Sequence, residues 1–243
     1  MPKISFVMPT KNRANLIGES IQTILDQTFE DWELVIIDDH SLDDTMAVVE
    51  KFKDPRIKYF NLPDRNGTGS SCARNFGNML ATSEIILVAD SDDLNYPERA
   101  QVTYQYFVNH PQTDFFYAHA DVWEMEKNFR RERRIPFTPF NIEKLKEVDF
   151  IPHPTVAYKK QVILEIPYNP IFIFAEDYDL ISRFVLNKKN IGYLNQKLVT
   201  QRFHPGRLSQ DRITQEKCAQ LVRVLRGWDK SMGAAELIKG ITK

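Results

Sequence analysis

The feature that most constrains the fold is a short apolar run that ends abruptly in acidic residues. Residues 85–89 are all apolar and rich in β-branched types, and the sequence Asp90-Ser91-Asp92-Asp93 follows at once. An unbroken run of this length is typical of a strand that is buried on both faces inside a parallel sheet. The carboxylates then lie at the carboxyl end of the strand, where open α/β sheets bind their ligands.

Two roles for these acids are compatible with the run itself. Asp90 and Asp92 are two residues apart, so an extended segment directs both to one side, where they offer oxygen ligands to Mg²⁺ or Mn²⁺. Alternatively, the acids form a solvated turn before a helix, because Pro97 and Glu98 are typical of a helix start.

Strand-like segments recur before this run and alternate with helical segments. Residues 4–8, 34–37 and 57–60 are the predicted strands, the first is expected to stop at Pro9, and a helix is predicted over 70–81. A further helix is indicated by apolar residues at near-helical spacing, namely Leu16, Ile17, Ile21, Ile24 and Leu25. This order predicts an α/β fold with a doubly wound, mostly parallel sheet flanked by helices and a C-terminal helical extension.

Composition excludes several classes of protein. The 243 residues are 42% hydrophobic with a formal net charge of −1, which gives no basic excess for nucleic acid. Two cysteines, Cys72 and Cys218, lack the paired spacing of a zinc site or disulfide framework and favour a reducing cytoplasm. No stretch approaches the ~20 apolar residues of a membrane span, so no transmembrane segment is expected.

Four motifs in order resemble a known family. They are Pro9-Thr10-Lys11-Asn12-Arg13, Asp38-Asp39-x-Ser41, Ala73-Arg74-Asn75-x-Gly77 and Asp90-Ser91-Asp92-Asp93. Together they resemble the nucleotide-binding half of inverting, non-processive family-2 glycosyltransferases with the GT-A fold, and the likeness is close over about the first 100 residues. It implies a GT-A domain over 1–208, with a nucleotide half at 1–100 and an acceptor half at 101–208, and a helical extension at 209–243. One departure is His40, where Gly or Asn is more usual.

The resemblance implies a donor site. A carboxylate at the position of Asp39 accepts the imide N–H of the base. Uracil and thymine carry such an N–H and guanine carries a comparable one, whereas cytosine offers only acceptors at that edge, so a UDP-sugar ranks first and a CDP-sugar low. Pro9 and Thr10 are expected to line the base pocket, with Arg13 and Arg74 near the nucleotide. Asp90 and Asp92 are expected to hold the ribose and the metal.

The resemblance returns at two later points. Glu176-Asp177 looks like the motif whose Asp is the general base of inverting transferases, with Glu176 orienting the acceptor, although acids in a first helical turn also suit the helix dipole. His204 is expected to complete the metal or diphosphate shell, which favours manganese over magnesium. Arg202 and Arg207 could pair with the diphosphate, and Ser209 is expected to cap the next helix.

Two other segments keep open interpretations. The cations Lys127, Arg130, Arg131, Arg133 and Arg134 form either a solvated loop or a patch for an acceptor or an anionic membrane. His153, between two prolines, is either a contact for the acceptor or a fixed turn residue.

The sequence thus predicts a divalent-metal-dependent, hexosyltransferase-like enzyme of polysaccharide biosynthesis that acts on a carbohydrate or lipid-linked acceptor. A cytoplasmic location is expected, with peripheral contact at the inner face of the membrane left open. Two alternatives remain, a sugar-phosphate nucleotidyltransferase and a non-catalytic module that binds nucleotide-sugars.

Overall fold

The structure is a computed structural model that describes residues 1–133, 140–207, 211–231, 233–234 and 237–238. Two residues singled out from the sequence, Arg134 of the basic cluster and the expected helix cap Ser209, lie outside these ranges.

The strands are β1 (Ile4–Thr10), β2 (Trp32–Asp38), β3 (Ile57–Asn61), β4 (Ile85–Val88), β5 (Leu94–Asn95), β6 (Phe115–Glu124), β7 (Phe129–Arg133), β8 (Ala157–Lys159) and β9 (Ile191–Phe203). The helices are α1 (Ile17–Leu25), α2 (Thr45–Val49), α3 (Ser70–Leu80), α4 (Arg99–Asn109), α5 (Ile142–Glu147), α6 (Lys160–Glu165), α7 (Glu176–Leu186) and α8 (Arg212–Leu225).

One mixed sheet runs through the described residues in the order β3-β2-β1-β4-β8-β6-β9-β5, and β7 pairs with β6 beside this path. Strands β1 to β4 pair in parallel, and β6 pairs in parallel with β9. Strand β8 is antiparallel to both β4 and β6 and joins the two parallel groups. The carboxyl ends of β1, β2 and β4 therefore meet at one edge, as the sequence predicts.

Helices cover both faces of the sheet. On one face, α1 and α4 bury residues such as Ile21 and Phe107 against the strands. On the other face, α3, α7 and α8 bury Ala73, Leu180 and Val222. Burying a side chain of this size stabilises the fold by about 1.5–3 kcal/mol, so the two apolar layers fix the order of the elements.

Gly77 explains how closely α3 approaches the sheet. A Cβ atom at this position would lie 2.5 Å from Val7 Cγ1 and 3.1 Å from Ile37 Cγ1. Only a residue without a side chain lets the helix pack at this distance from β1 and β2.

Strand β1 continues through Pro9, where the sequence predicted its end. Val7 O accepts a hydrogen bond from Ala89 N, so the odd-numbered residues of β1 direct their polar groups towards β4. The ladder with β4 stops at Val7 and Val88. The missing N–H of Pro9 therefore falls beyond the end of β4 and leaves no gap in the sheet.

The second half of the chain differs more from its predicted pattern. Residues 115–124 form one long strand, and Arg130 and Arg131 of the basic cluster lie on the edge strand β7 and not in a loop. In α8, Leu221 and Val222 are buried, whereas Ile213 and Leu225 are exposed. Among the helices of the described residues, none has the length and apolar character that a membrane span requires.

Candidate functional site

The first part of the site is a group of buried polar atoms at the ends of β1 and β2. Asp39 is only 4% exposed, and its backbone N–H donates to Thr10 O at 2.8 Å. Its Oδ2 atom accepts hydrogen bonds from Lys11 Nζ at 3.1 Å and from Gly69 N at 2.9 Å. Within the described residues, Asp39 Oδ1 and Thr10 Oγ1 are buried without a hydrogen-bond partner. Pro9 precedes Thr10 in β1 and lies opposite Ile37 of β2.

The neighbouring carboxylate has a structural role. Asp38 Oδ1 accepts from Ser41 N at 2.7 Å, and its Oδ2 accepts from the Tyr59 hydroxyl. Burial and the Asp38 carboxylate raise the pKa of Tyr59, so the phenol remains a donor. Both oxygens of Asp38 are thus used within the fold, and Asp39 is the acid left for a ligand.

A second group of side chains lies past the end of β4. Asp92 Oδ2 is 3.3 Å from Arg13 Nε and 3.1 Å from His204 Nε2. Burial alone would raise the pKa of Asp92, but the hydrogen bond with His204 and the charge of Arg13 lower it below the usual value. Arg13 NH2 also donates to Gly206 O at 3.4 Å, which links the loop after β9 to the end of β1. The predicted residues Arg13, Asp92 and His204 are therefore brought together.

The His204 ring is oriented for a cation. Its Nδ1 lies 2.7 Å from Pro205 O, so the neutral tautomer carries its proton on Nδ1 and donates it to that carbonyl. The Nε2 lone pair then faces the Asp92 carboxylate at 3.1 Å, an arrangement that needs a proton or a cation beside the two atoms. An imidazole and a carboxylate together suit Mn²⁺.

Asp90 is held elsewhere. Its Oδ1 accepts from Arg74 NH2 at 3.0 Å, and Arg74 NH1 donates to Glu176 Oε1 at the same distance. Within the residues that the structure describes, no three His, Cys, Asp or Glu side chains gather into a metal cluster. The three predicted ligands are thus split, with Asp92 and His204 paired and Asp90 bound to Arg74.

Arg74 connects the two halves of the site. Its side chain is 8% exposed and lies between Asp90 at the end of β4 and Glu176 at the start of α7. Burial alone would lower the pKa of Arg74, but the carboxylates of Asp90 and Glu176 outweigh that effect and raise it, so the guanidinium keeps its charge. Ser70 Oγ also donates to Glu176 Oε1 at 3.0 Å. Helix α3 is therefore tied to the segment that carries Asp177.

Asp177 is a half-buried carboxylate among other acids. Its Oδ1 accepts from Tyr178 N at 2.8 Å. Burial raises the pKa of Asp177 well above the usual value, and the charges of Asp149 and Glu176 raise it further. A carboxylate with a raised pKa is a stronger base, which suits proton abstraction near neutral pH. Nothing in the local sequence singles out Asp149, because it lies 28 residues before Asp177.

The loop before Asp177 is fixed by residues that the sequence analysis did not assign. Asn75 of α3 donates from Nδ2 to Tyr168 O at 2.8 Å and accepts from Tyr168 N at 2.9 Å. The Tyr168 ring lies 5.5 Å from the Arg74 guanidinium, and His153 Nε2 pairs with the Tyr168 hydroxyl at 2.8 Å. His153 is buried in a short 3₁₀ turn, and burial lowers its pKa well below the usual value. The turn interpretation of His153 is therefore confirmed.

The two arginines around His204 have different positions. Arg202 is 1% exposed, and its guanidinium donates to Glu19 Oε2 at 2.5 Å and to Leu16 O at 2.9 Å. The expectation that Arg202 pairs with a diphosphate is wrong, because the side chain points into the fold towards α1. Its backbone N–H donates to Asp93 Oδ1 at 2.8 Å, so Arg202 fixes the acidic turn. Arg207 lies over the Phe203 ring, 3.6 Å from its centroid.

Besides Asn12, whose φ is 52°, two residues beside the site have a positive φ. His40 and Ala175 have φ values of 58° and 63°, a conformation that residues with a Cβ atom rarely adopt. His40 follows Asp39, and Ala175 precedes Glu176. The positive φ at His40 explains why Gly or Asn is more usual there, and such strain is typical of functional sites.

Comparisons with known proteins agree with this geometry. The sequence model of the family described as Glycosyl transferase family 2 matches residues 5–166. The chain is 28% identical over 226 residues to UDP-Glc:alpha-D-GlcNAc-diphosphoundecaprenol beta-1,3-glucosyltransferase WfgD of Escherichia coli, covering 93% of this chain and 84% of that protein. It is 30% identical over 200 residues to poly(ribitol-phosphate) beta-N-acetylglucosaminyltransferase TarP of Staphylococcus aureus, covering 78% of this chain and 59% of that protein.

Among solved structures, the crystal structure of S. aureus TarS 1–349 in complex with UDP-GlcNAc is similar to this chain. The TM-score is 0.75 at 20% sequence identity, and the match covers 98% of this chain and 70% of that one. The likeness therefore extends through both halves of the sheet and includes α8.

Proposed function

The chain belongs to glycosyl transferase family 2, and from this premise we propose that it transfers a sugar from a UDP-sugar to a hydroxyl group of a glycan or lipid-linked acceptor, with inversion at the anomeric carbon. The similarity to TarS confirms the expected GT-A fold. Family membership also makes the protein a glycosyltransferase, which removes the nucleotidyltransferase and the non-catalytic module as alternatives.

One observation carries the choice of donor. Asp39 Oδ1 is a buried acceptor without a partner in the described residues, and Thr10 Oγ1 beside it is also unpaired. An unsatisfied buried polar group costs about 1–3 kcal/mol, so a ligand that supplies a donor gains that amount. The N3–H of uracil is such a donor, whereas cytosine presents an acceptor at the same edge. Pro9 and Thr10 then border the base.

The metal is assigned to the pair Asp92 and His204. This pair fits Mn²⁺, because Nε2 of the neutral imidazole faces the carboxylate oxygen at 3.1 Å. When bound, the cation would neutralise charge that develops on the leaving diphosphate. Arg13 and Arg207 add positive charge on either side of His204 and can pair with the same phosphates.

The acceptor reacts beside Asp177. Its hydroxyl oxygen attacks the anomeric carbon, the bond between that carbon and the diphosphate oxygen breaks, and the UDP leaves with the bonding electrons. The hydroxyl proton passes to the Asp177 carboxylate. A single displacement of this kind inverts the configuration at the anomeric carbon.

Two further residues hold the reacting groups in place. Arg74 joins Asp90 to Glu176, so the end of β4 and the first turn of α7 keep a fixed separation. We assign Asp90 to the ribose side of the donor and Glu176 to the orientation of Asp177. Positioning of this kind contributes to the rate because the reacting atoms need to be aligned.

Lipid-linked acceptors place the reaction at a membrane surface. The name of WfgD specifies a diphosphoundecaprenol acceptor, and we propose an acceptor of that class here. Cys72 and Cys218 are both buried free thiols, which suits a reducing compartment and hence the cytoplasmic side of the membrane.

Calorimetric titration with UDP, GDP and CDP tests the donor site, each with Mn²⁺ and with chelator. We expect the wild type to bind UDP more tightly with the metal than with chelator. Asp39→Asn replaces the acceptor with an amide that can donate to cytosine. The variant should therefore bind UDP with about 10-fold or more lower affinity and should prefer UDP over CDP less strongly than the wild type does.

Asp38→Asn is the matched control. It removes the adjacent carboxylate, whose partners Ser41 and Tyr59 belong to the fold, and should leave the preference for UDP unchanged. Equal affinity of the wild type for UDP and CDP, or equal effects of the two variants, would overturn the assignment.

A further inference from the structure

The basic segment after β6 is an edge strand with two different faces. Side chains alternate across a strand, so Arg130 and Arg131 point to opposite sides of β7. The Arg130 guanidinium lies 4.9 Å from the centroid of Trp123, and that of Arg131 lies 5.7 Å from the centroid of Phe203. The two neighbours therefore have different surroundings.

The face that carries Arg131 borders the donor site. Phe203 is the last residue of β9 and is followed directly by His204, which pairs with Asp92. Arg207 lies against the same Phe203 ring, at 3.6 Å. Arg131 and Arg207 thus hold two guanidinium groups on one ring beside the site.

This face has more positive than negative charge. Glu124 Oε1 accepts from Arg131 Nε at 3.2 Å, and its Oε2 accepts from Lys127 Nζ at 3.0 Å. Among the described side chains of this face, Glu124 thus shares its one carboxylate between two cations, Lys127 and Arg131, which leaves an excess of one positive charge. On the opposite face, Lys197 is balanced by Glu132 at 2.6 Å and by Asp121 at 3.4 Å.

We propose that Arg131, held on the Phe203 ring that it shares with Arg207, binds a phosphate group of the acceptor. Arginine is suited to this role because its planar fork forms paired hydrogen bonds with phosphate oxygens. The inference rests on the proposed function and specifies its substrate as a phosphate-bearing acceptor. The proposal agrees with the names of the relatives WfgD and TarP, which specify a diphosphoundecaprenol-linked sugar and poly(ribitol-phosphate) as their acceptors.

The test compares the neighbours Arg130 and Arg131. Four proteins are compared, namely the wild type, Arg131→Ala, Arg131→Lys and Arg130→Ala. Each is first saturated with UDP and Mn²⁺, so that the donor site is filled. Each is then titrated with farnesyl diphosphate, a soluble diphosphate lipid, and with farnesol, its phosphate-free counterpart. We expect Arg131→Ala to lower the affinity for farnesyl diphosphate about 10-fold or more and Arg131→Lys to lower it less. Arg130→Ala should change this affinity less than 2-fold. None of the variants should change the affinity for UDP.

A second arm separates the acceptor phosphate from a membrane headgroup. Binding to vesicles of phosphatidylcholine with one fifth phosphatidylglycerol should depend equally on Arg130 and Arg131, since both are exposed cations. Equal loss of farnesyl diphosphate binding in the two alanine variants, no binding by the wild type, or a selective effect of Arg131→Ala on vesicles alone would each overturn the proposal. Failure of the wild type to bind UDP would speak against the proposed function instead, and the comparison between the two arginines can be repeated without UDP.

Discussion

Replacing Asp177 with Asn should abolish transfer while making the protein more stable. The carboxylate is half-buried, and burial together with Asp149 and Glu176 raises its pKa well above the usual value. Each pKa unit corresponds to about 1.4 kcal/mol that the folded state loses when the group ionises. An amide of the same shape avoids that loss. We therefore expect a higher Tm at neutral pH, where each kcal/mol of added stability corresponds to roughly 2–4 °C for a domain of this size.

The gain should depend on pH in a defined direction. A carboxyl group with a raised pKa in the folded state is protonated in both states at low pH, so Asp177→Asn has little effect on stability below the free value of about 4. The difference should grow as the pH rises towards the folded-state pKa and become constant above it. The activity of the wild type should fall as the pH drops through the same pKa, because the protonated acid cannot accept the acceptor proton.

Asp179→Asn is the control in the same helix. Asp179 is fully buried, its Oδ2 accepts from Arg183 Nε at 2.8 Å, and its Oδ1 accepts from Arg226 NH2. Its removal leaves two guanidinium groups without their counter-charge and should cost about 2–4 kcal/mol. Thermal unfolding at pH 4 and pH 8 and single-turnover rates measure both variants. A lower Tm for Asp177→Asn at pH 8, or a turnover reduced by less than about 100-fold, would refute the reasoning.

Two more predictions concern residues beside the site. His40→Gly should raise the free energy of unfolding at pH 8 by about 0.5–1 kcal/mol, and Tm with it, because φ at this position is 58° and the exposed pair of His40 with Asp64 contributes little. A lower Tm would show that this pair matters more than the strain. Asn75→Asp keeps the acceptor for Tyr168 N but loses the donor to Tyr168 O. It should reduce kcat by about 10-fold through a looser loop before Asp177, with the affinity for UDP unchanged and a larger kcat loss in Asn75→Ala. A change in UDP affinity instead of kcat would contradict that role for Asn75.

The nucleotide half was predictable because its signals are local. Each apolar run followed by acids marks a strand end, and the parallel order of β1, β2 and β4 brings those ends together. The sequence could not tell which acid of a pair is available. Asp38 and Asp39 are adjacent, yet only the folded structure shows that Ser41 and Tyr59 use Asp38 and leave Asp39 Oδ1 unpaired.

The second half depends on partners that are distant in sequence. Arg202 binds Glu19 across 183 residues, and Asn75 holds Tyr168 across 93. Such pairs leave no periodic pattern in the sequence. The sequence alone therefore favours a diphosphate as the partner of Arg202 and predicts no role for Asn75. The conformation of the basic segment is also ambiguous from the sequence, because a charged segment of this kind is typical of a loop. Only its pairing with β6 shows that it contains an edge strand.

The most direct test of the account is the transfer reaction itself. The purified protein with Mn²⁺ and a panel of UDP-hexoses is incubated with a saccharide linked to a diphosphate lipid, and UDP release and the anomeric configuration of the new bond are measured by NMR. The account predicts UDP release that requires the acceptor, an inverted configuration in the product, and loss of both with Asp177→Asn. Retention of configuration, or transfer that continues in Asp177→Asn, would contradict it.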